Sequence, residues 1–164
     1  MRVFRQRRTG FSLVELLIVV AVILILSALA IPQLLRAKIA ANEASAVSAV
    51  RNIYSMQIQY AQLYPTLGFA TDISQLGPPS GGAPPTAAHA NLLDFVLGCA
   101  AQPCPKSGYL FSIDQTSGSP IDSFRVVAIP QAQGTTGIRG FCVSSNGGNI
   151  TADPNGGSNC TSPI

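Results

Sequence analysis

The sequence predicts an α+β protein: a long, kinked N-terminal helix whose first half can cross a membrane, and whose C-terminal half packs on a small antiparallel sheet of three or four strands. Three observations predict it. Residues 11–35 form a 25-residue apolar run with a single charge, Glu15. A helical apolar pattern continues from there to Tyr64-Pro65. Beyond Gly108, runs rich in Tyr, Phe, Val and Ile alternate with turn signals.

The first element is a basic leader, 1–10. Of ten Lys and Arg, four (Arg2, Arg5, Arg7, Arg8) precede Gly10, so the net charge of +3 is concentrated there. The remaining six basic residues face seven acidic ones, a nearly neutral balance that gives no electrostatic footprint for nucleic acid. No nucleic-acid partner is expected.

The second element, 11–35, is long enough as a helix at about 1.5 Å per residue to cross a hydrocarbon core of about 30 Å. The arginines ahead of it place the N-terminus in the cytoplasm by the positive-inside rule. A cleaved secretory signal is a rival reading, because "ALA" at 28–30 offers a small-x-small site after Ala30. That cut would release a soluble secreted domain. Glu15 argues against it, since it lies where such a signal is purely apolar, and a plain uncleaved anchor does not account for the acid either.

The third element, 36–64, continues the helix. Ala40, Ala44, Val47, Val50, Tyr54, Ile58 and Ala61 fall at steps of three and four and form the expected core-facing stripe, with Asn42, Glu43, Arg51, Asn52 and Gln59 off it. Pro32 removes one backbone hydrogen bond, so a bend or local unwinding is expected there. Small residues (Ser27, Ala28, Ala30, Ala37, Ala40, Ala41, Ala44) permit close approach of neighbouring helices, although alanine is also simply a good helix former.

The fourth element, 65–107, is rich in Pro and Gly and is expected to be a connecting loop with short helical turns at 71–76 and 86–98, each opened by a capping Thr. His89, in the second turn, is expected to be a solvated helix residue. The fifth, 108–164, supplies strands from "GYLFSID", "SFRVVAIPQ" and "IRGFCVSS", separated by "QTSGSP" and "AQGTTG", with a fourth strand around 149–152.

Four cysteines (Cys99, Cys104, Cys142, Cys160) beyond a membrane-directed segment favour disulfides in an oxidising compartment, with three pairings open. Zinc is disfavoured: the spacings lack a CxxC pair, and the only histidine is His89. Asn146, Asn149, Asp153 and Asn155 offer oxygen ligands, so calcium is conceivable there, although one carboxylate is little charge for such a site. Asp114 and Asp122 could pair across a turn, though solvated turn residues are the plainer reading. The helix aromatics Phe11, Tyr54, Tyr60 and Tyr64 are assigned to packing. No nucleophile, phosphate-loop or dinucleotide motif appears, so an enzyme is not expected and no cofactor is assigned.

The segment "GFSLVELLIVVAVILILSALAIP", 10–32, resembles the N-terminal signature of type IV pilins and of the related type II secretion pseudopilins. It combines a short basic leader, Gly followed by Phe, an acid five residues into the mature chain, and a Pro about twenty residues in. The order of elements also resembles the pilin layout, sharply over 10–64 and loosely beyond. The resemblance implies cleavage after Gly10 by a prepilin peptidase, N-methylation of Phe11, and polymerisation of the chain with itself through its N-terminal helix by a membrane assembly machinery. It implies that Glu15 pairs with the new amino group at Phe11 of an adjacent subunit. It places the chain in the bacterial cytoplasmic membrane before assembly, and afterwards in an extracellular pilus or a periplasmic pseudopilus. It further implies a Cys142–Cys160 loop, leaving Cys99–Cys104 as a small ring. Secretion pseudopilins have a calcium site in their last loop, so the poor ligand set favours the pilus.

Overall fold

The structure, a computed structural model, describes residues 10–164. The basic residues Arg2, Arg5, Arg7 and Arg8, and with them most of the leader, lie outside the described residues. The chain divides into two compact units, 1–37 and 38–164, and the helix α1 (Leu13–Leu63) contributes residues to both.

In the first unit, α1 begins after Ser12, whose carbonyl accepts the Leu16 N–H at 3.2 Å. Every large apolar side chain from Phe11 to Leu35 is exposed, from Phe11 at 81 % down to Val20 at 48 %. A side chain of this kind gains about 1.5–3 kcal/mol when removed from water, and the helix is long and apolar enough to cross a membrane. Pro32 lies inside α1, and the helix continues through it, so of the expected bend or local unwinding the unwinding does not occur. The missing N–H leaves a single carbonyl one turn earlier unpaired, which a long helix tolerates when its neighbours satisfy the freed group.

In the second unit, six strands form one antiparallel meander in chain order: β1 (Cys104–Lys106), β2 (Tyr109–Gly118), β3 (Ile121–Pro130), β4 (Gly140–Ser144), β5 (Ile150–Asp153) and β6 (Ser162–Pro163). Four were expected at most; the two short outer strands are additional. β1 falls within the segment expected to be loop, and β2 runs through "QTS" to Gly118 with a bulge, so the β2–β3 turn is only Ser119-Pro120.

Alternation along the strands builds one face of the core. Tyr109, Phe111 and Ile113 of β2 point inward with Phe124, Val126 and Ala128 of β3 and with Phe141 and Val143 of β4. Register aligns these as Phe111↔Ala128, Ala128↔Phe141 and Phe141↔Ala152, so inward residues stack across four strands. Against them packs the 38–63 part of α1, burying Ala46, Ala49, Val50, Ile53 and Tyr60. Two small aromatic groups form there: Phe124 with Tyr54 and Phe69 at 5.8 and 4.7 Å between ring centres, and Tyr60 with Tyr64 at 4.9 Å.

The buried stripe is displaced by about one residue from the expected one. Glu43, Ala46, Val50, Ile53, Gln57 and Tyr60 are buried, whereas Ala40 and Ala44 are exposed and Val47, Tyr54, Ile58 and Ala61 are half-buried. The displacement is set by two polar residues that find partners inside. Gln57 is fully buried, accepting the Ala70 N–H at 2.8 Å and donating to the Ala70 carbonyl at 2.9 Å. Glu43 reaches the β3–β4 connection.

The segment 65–103 departs from the expectation of two Thr-capped helical turns. A 3-10 turn, Ile73–Leu76, is capped by Asp72, whose Oδ1 accepts the Ser74 N–H at 2.8 Å, and Gln75 returns to the Asp72 N–H. Residues 86–98 form no helix. Their amides are taken by the earlier turn: Ala90 N–H donates to Gln75 O, and those of Leu92 and Leu93 donate to Leu76 O. His89 is therefore half-buried in a turn, with Nδ1 3.1 Å from the Ser74 carbonyl, and not on a solvated helix.

Candidate functional site

The candidate site is the N-terminal segment. Gly10 and Phe11 precede the first helical turn and are exposed, and a Cβ added at Gly10 would meet no atom within 4 Å among the described residues. The described part of the fold therefore places no steric demand for glycine there. Glu15 follows in the first turn of α1, where a negative charge complements the partial positive charge of unpaired N–H groups. That term is worth a few tenths of a kcal/mol and does not account for a carboxylate on an apolar helix, which in hydrocarbon costs about 2.5–3.5 kcal/mol.

Among the described residues there are two ion pairs, Asp114–Arg125 and Glu43–Arg139, and Glu15 is in neither. Glu15 is thus an exposed carboxylate on an otherwise apolar stretch of helix, without an ion-pair partner among the described residues. Pro32 lies further along the same exposed surface. The arrangement supplies one acid and a continuous apolar wall, which suits association and no bond-making chemistry.

The remaining residues singled out from sequence are placed as follows. Cys99 is bonded to Cys104, and Cys142 to Cys160. The first bond joins the loop to β1, and the second fixes the C-terminal tail to β4. Asp114 meets not Asp122 but Arg125 on the facing strand, through Nε at 2.8 Å and Nη2 at 2.6 Å. That bidentate pair holds the Arg125 guanidinium charged, raising its affinity for the proton despite partial burial. Arg125 also donates to the Ser158 carbonyl in the tail.

Asp153 organises the last loop. Its Oδ1 accepts the Asn155 N–H at 2.9 Å and its Oδ2 the Asn159 N–H at 3.0 Å. Both oxygens are engaged by backbone, and no group of three or more acidic, His or Cys side chains suited to a metal occurs among the described residues.

Sequence reasoning missed the grip of α1 on the connection before β4. Glu43 Oε1 accepts the N–H groups of Ile138 and Arg139 at 3.0 and 3.1 Å, and Oε2 accepts Arg139 Nε and Nη2 at 3.0 and 2.7 Å. Asn42 donates to the Thr136 carbonyl at 2.8 Å. Beneath, the Tyr109 hydroxyl donates to the Arg139 carbonyl at 2.9 Å, and Gly137 lies so close over the Tyr109 ring that any side chain there would strike it. Burial alone would raise the Glu43 carboxyl, but its bonds to Arg139 and the two amides prevail and hold it below the usual carboxylate range. Burial raises the Tyr109 hydroxyl well above the tyrosine range, with the Glu43 charge adding to it. The available signal was a polar pair, Asn42-Glu43, beside an apolar helix face, and solvent explains such a pair equally well.

Residues 5–31 match the family described as the prokaryotic N-terminal methylation motif. No curated protein matches the chain, and no solved structure matches it. The motif is typical of type IV pilin and pseudopilin subunits, which are structural proteins and not enzymes. The long N-terminal helix, packed by its C-terminal half on an antiparallel sheet, is a pilin-like α+β fold.

Proposed function

We propose that this pilin- or pseudopilin-like chain is a type IV pilus subunit, cut after Gly10 by a prepilin peptidase, N-methylated at Phe11, and polymerised with copies of itself through α1. The observation that carries this reading is the methylation motif at 5–31 heading a helix whose apolar first half is wholly exposed, with Glu15 its single charge. Before assembly, the chain crosses the cytoplasmic membrane once with its N-terminus inside. Cleavage creates a cationic amine at Phe11, and in the filament that amine of one subunit meets Glu15 of another. The pair relieves a carboxylate otherwise unpaired in hydrocarbon, which favours one register of assembly.

A type II secretion pseudopilus is the alternative within the same class. The single carboxylate of the last loop, Asp153, supports the pilus, because it is little charge for a calcium ion.

Mass spectrometry of the mature N-terminus tests the proposal. N-methylated Phe11 is expected. A chain starting at Ile31 would instead establish a soluble domain released after Ala30, and an intact Met1 a plain anchor; either result overturns the reading.

A further inference from the structure

The apolar strip of α1 that the sheet leaves uncovered is itself a surface with a shape. Ala40, Ala44 and Val47 line a shallow groove of about 390 Å³ bounded by Glu43, Arg51 and Arg139. Arg139 is met by Glu43, whereas Arg51 is exposed and forms no ion pair among the described residues. Arg51 also borders the cleft that ends at Ile164, again without an ion pair. The groove thus combines an apolar floor with one uncompensated cation.

The turn at 94–98 has the complementary character. Phe95 is 77 % exposed and Val96 49 %, while Leu93 and Leu97 on either side are buried. Asp94 fixes the turn: its Oδ1 accepts the Leu97 N–H at 2.9 Å and its carbonyl accepts the Gly98 N–H at 2.7 Å. The tip is therefore an aromatic and an aliphatic side chain held outward on a bonded base, beside an exposed carboxylate that forms no ion pair among the described residues. An exposed, pre-ordered aromatic loses little freedom on docking and can bury about 150–250 Å².

From this complementarity we infer that the Asp94-Phe95-Val96 tip of one copy seats in the Ala40/Ala44/Val47 groove of a second copy of this chain. Phe95 lies on the alanines, and the Asp94 carboxylate is directed to Arg51. Knob and groove are different patches, so the contact is able to run head to tail from copy to copy, the arrangement a filament uses. The inference rests on the filament reading and assigns it a contact outside the apolar half of α1.

The full chain with Val96→Cys and Ala44→Cys, assembled into filaments and oxidised, tests it. The four native cysteines are paired, so the new thiols have each other as partners. A ladder of covalent multimers is expected from the double variant and monomer alone from each single variant. Filaments of the double variant without a ladder, or a ladder from Val96→Cys alone, would overturn the contact while leaving the filament reading intact. Absence of filaments from the unmodified chain would overturn both. Should the cysteine variant not assemble, charge reversal decides. Arg51→Glu is expected to lower filament yield about tenfold and Arg51→Glu with Asp94→Lys to recover it, whereas full yield from Arg51→Glu alone overturns the contact.

Discussion

Glu43 and Arg139, 96 positions apart, are joined through both nitrogens of the guanidinium fork and through the Arg139 backbone amide. The carboxylate lies at 11 % exposure and the arginine at 47 %, so one end of the pair is desolvated while the other stays wet. Such a pair acts chiefly through what its removal leaves behind: two amides with no acceptor, and a guanidinium without its anion.

Glu43→Ala is therefore expected to destabilise the folded 38–164 unit by about 2–3 kcal/mol, a figure reduced for the exposure of Arg139. Denaturant unfolding of the full chain in detergent measures it. A change within about 0.5 kcal/mol, as for an ordinary surface site, would refute the role assigned to the pair.

The same pair predicts an acid dependence. The folded-state affinity of Glu43 for a proton lies below its ordinary value of 4.5, so its contribution is complete above that pH. It disappears as pH falls from there through the lower folded value. The midpoint of unfolding should fall on acidification below about pH 4.5. The fall should be smaller in Glu43→Gln, and equal slopes for the two proteins would remove Glu43 as the cause.

Gln57→Leu should cost about 2 kcal/mol although it makes the core more apolar, because the N–H and carbonyl of Ala70 would both be buried without partners. Gln59→Leu, on the exposed side of the same turn, is the control and should stay within about 0.5 kcal/mol. Equal stability of the two variants would show that the Ala70 bonds are dispensable.

Loop closure ranks the two disulfides. Cys142–Cys160 spans 18 positions and Cys99–Cys104 spans 5. Chain-entropy arguments give about 3 and about 2 kcal/mol respectively. Serine pairs at 142/160 should lower the unfolding temperature more than those at 99/104, and the reverse order would point to structure retained in the reduced chain.

Gly10 and Glu15 separate processing from assembly. A Cβ at Gly10 meets no atom within 4 Å among the described residues, so a larger residue there should leave the 38–164 unit intact while blocking cleavage, visible as a chain that keeps its leader on a gel. Glu15→Leu should be cleaved normally, remain in the membrane and assemble poorly. Normal filament yield from that variant would remove Glu15 from the assembly contact.

The N-terminal motif was legible because its information is local: arginines, glycine, aromatic, acid and proline follow one another in a single short stretch of the chain. The alternation of Tyr109, Phe111 and Ile113 likewise exposed the sheet without knowledge of its neighbours. The helix stripe was misplaced because hydrophobicity was made the sole criterion of burial. Gln57 and Glu43 are buried through partners 13 and 96 positions away, and those partners are invisible to periodicity. Residues 86–98 carry the spacing of a helix in Leu93 and Leu97, but their amides are claimed by the turn at 73–76. The outer strands β1 and β6 are too short for any alternation to register.

The distance between Glu43 and its partner also sets a schedule. At about 5–20 residues per second, synthesis delivers Arg139 on the order of ten seconds after Glu43. During that interval the buried-to-be face of α1, with Glu43 and Gln57 on it, exists without the strands that cover it. Polar residues at those two positions keep the waiting face from being uniformly sticky, so the nascent helix has less reason to adhere to a neighbour before its own sheet arrives.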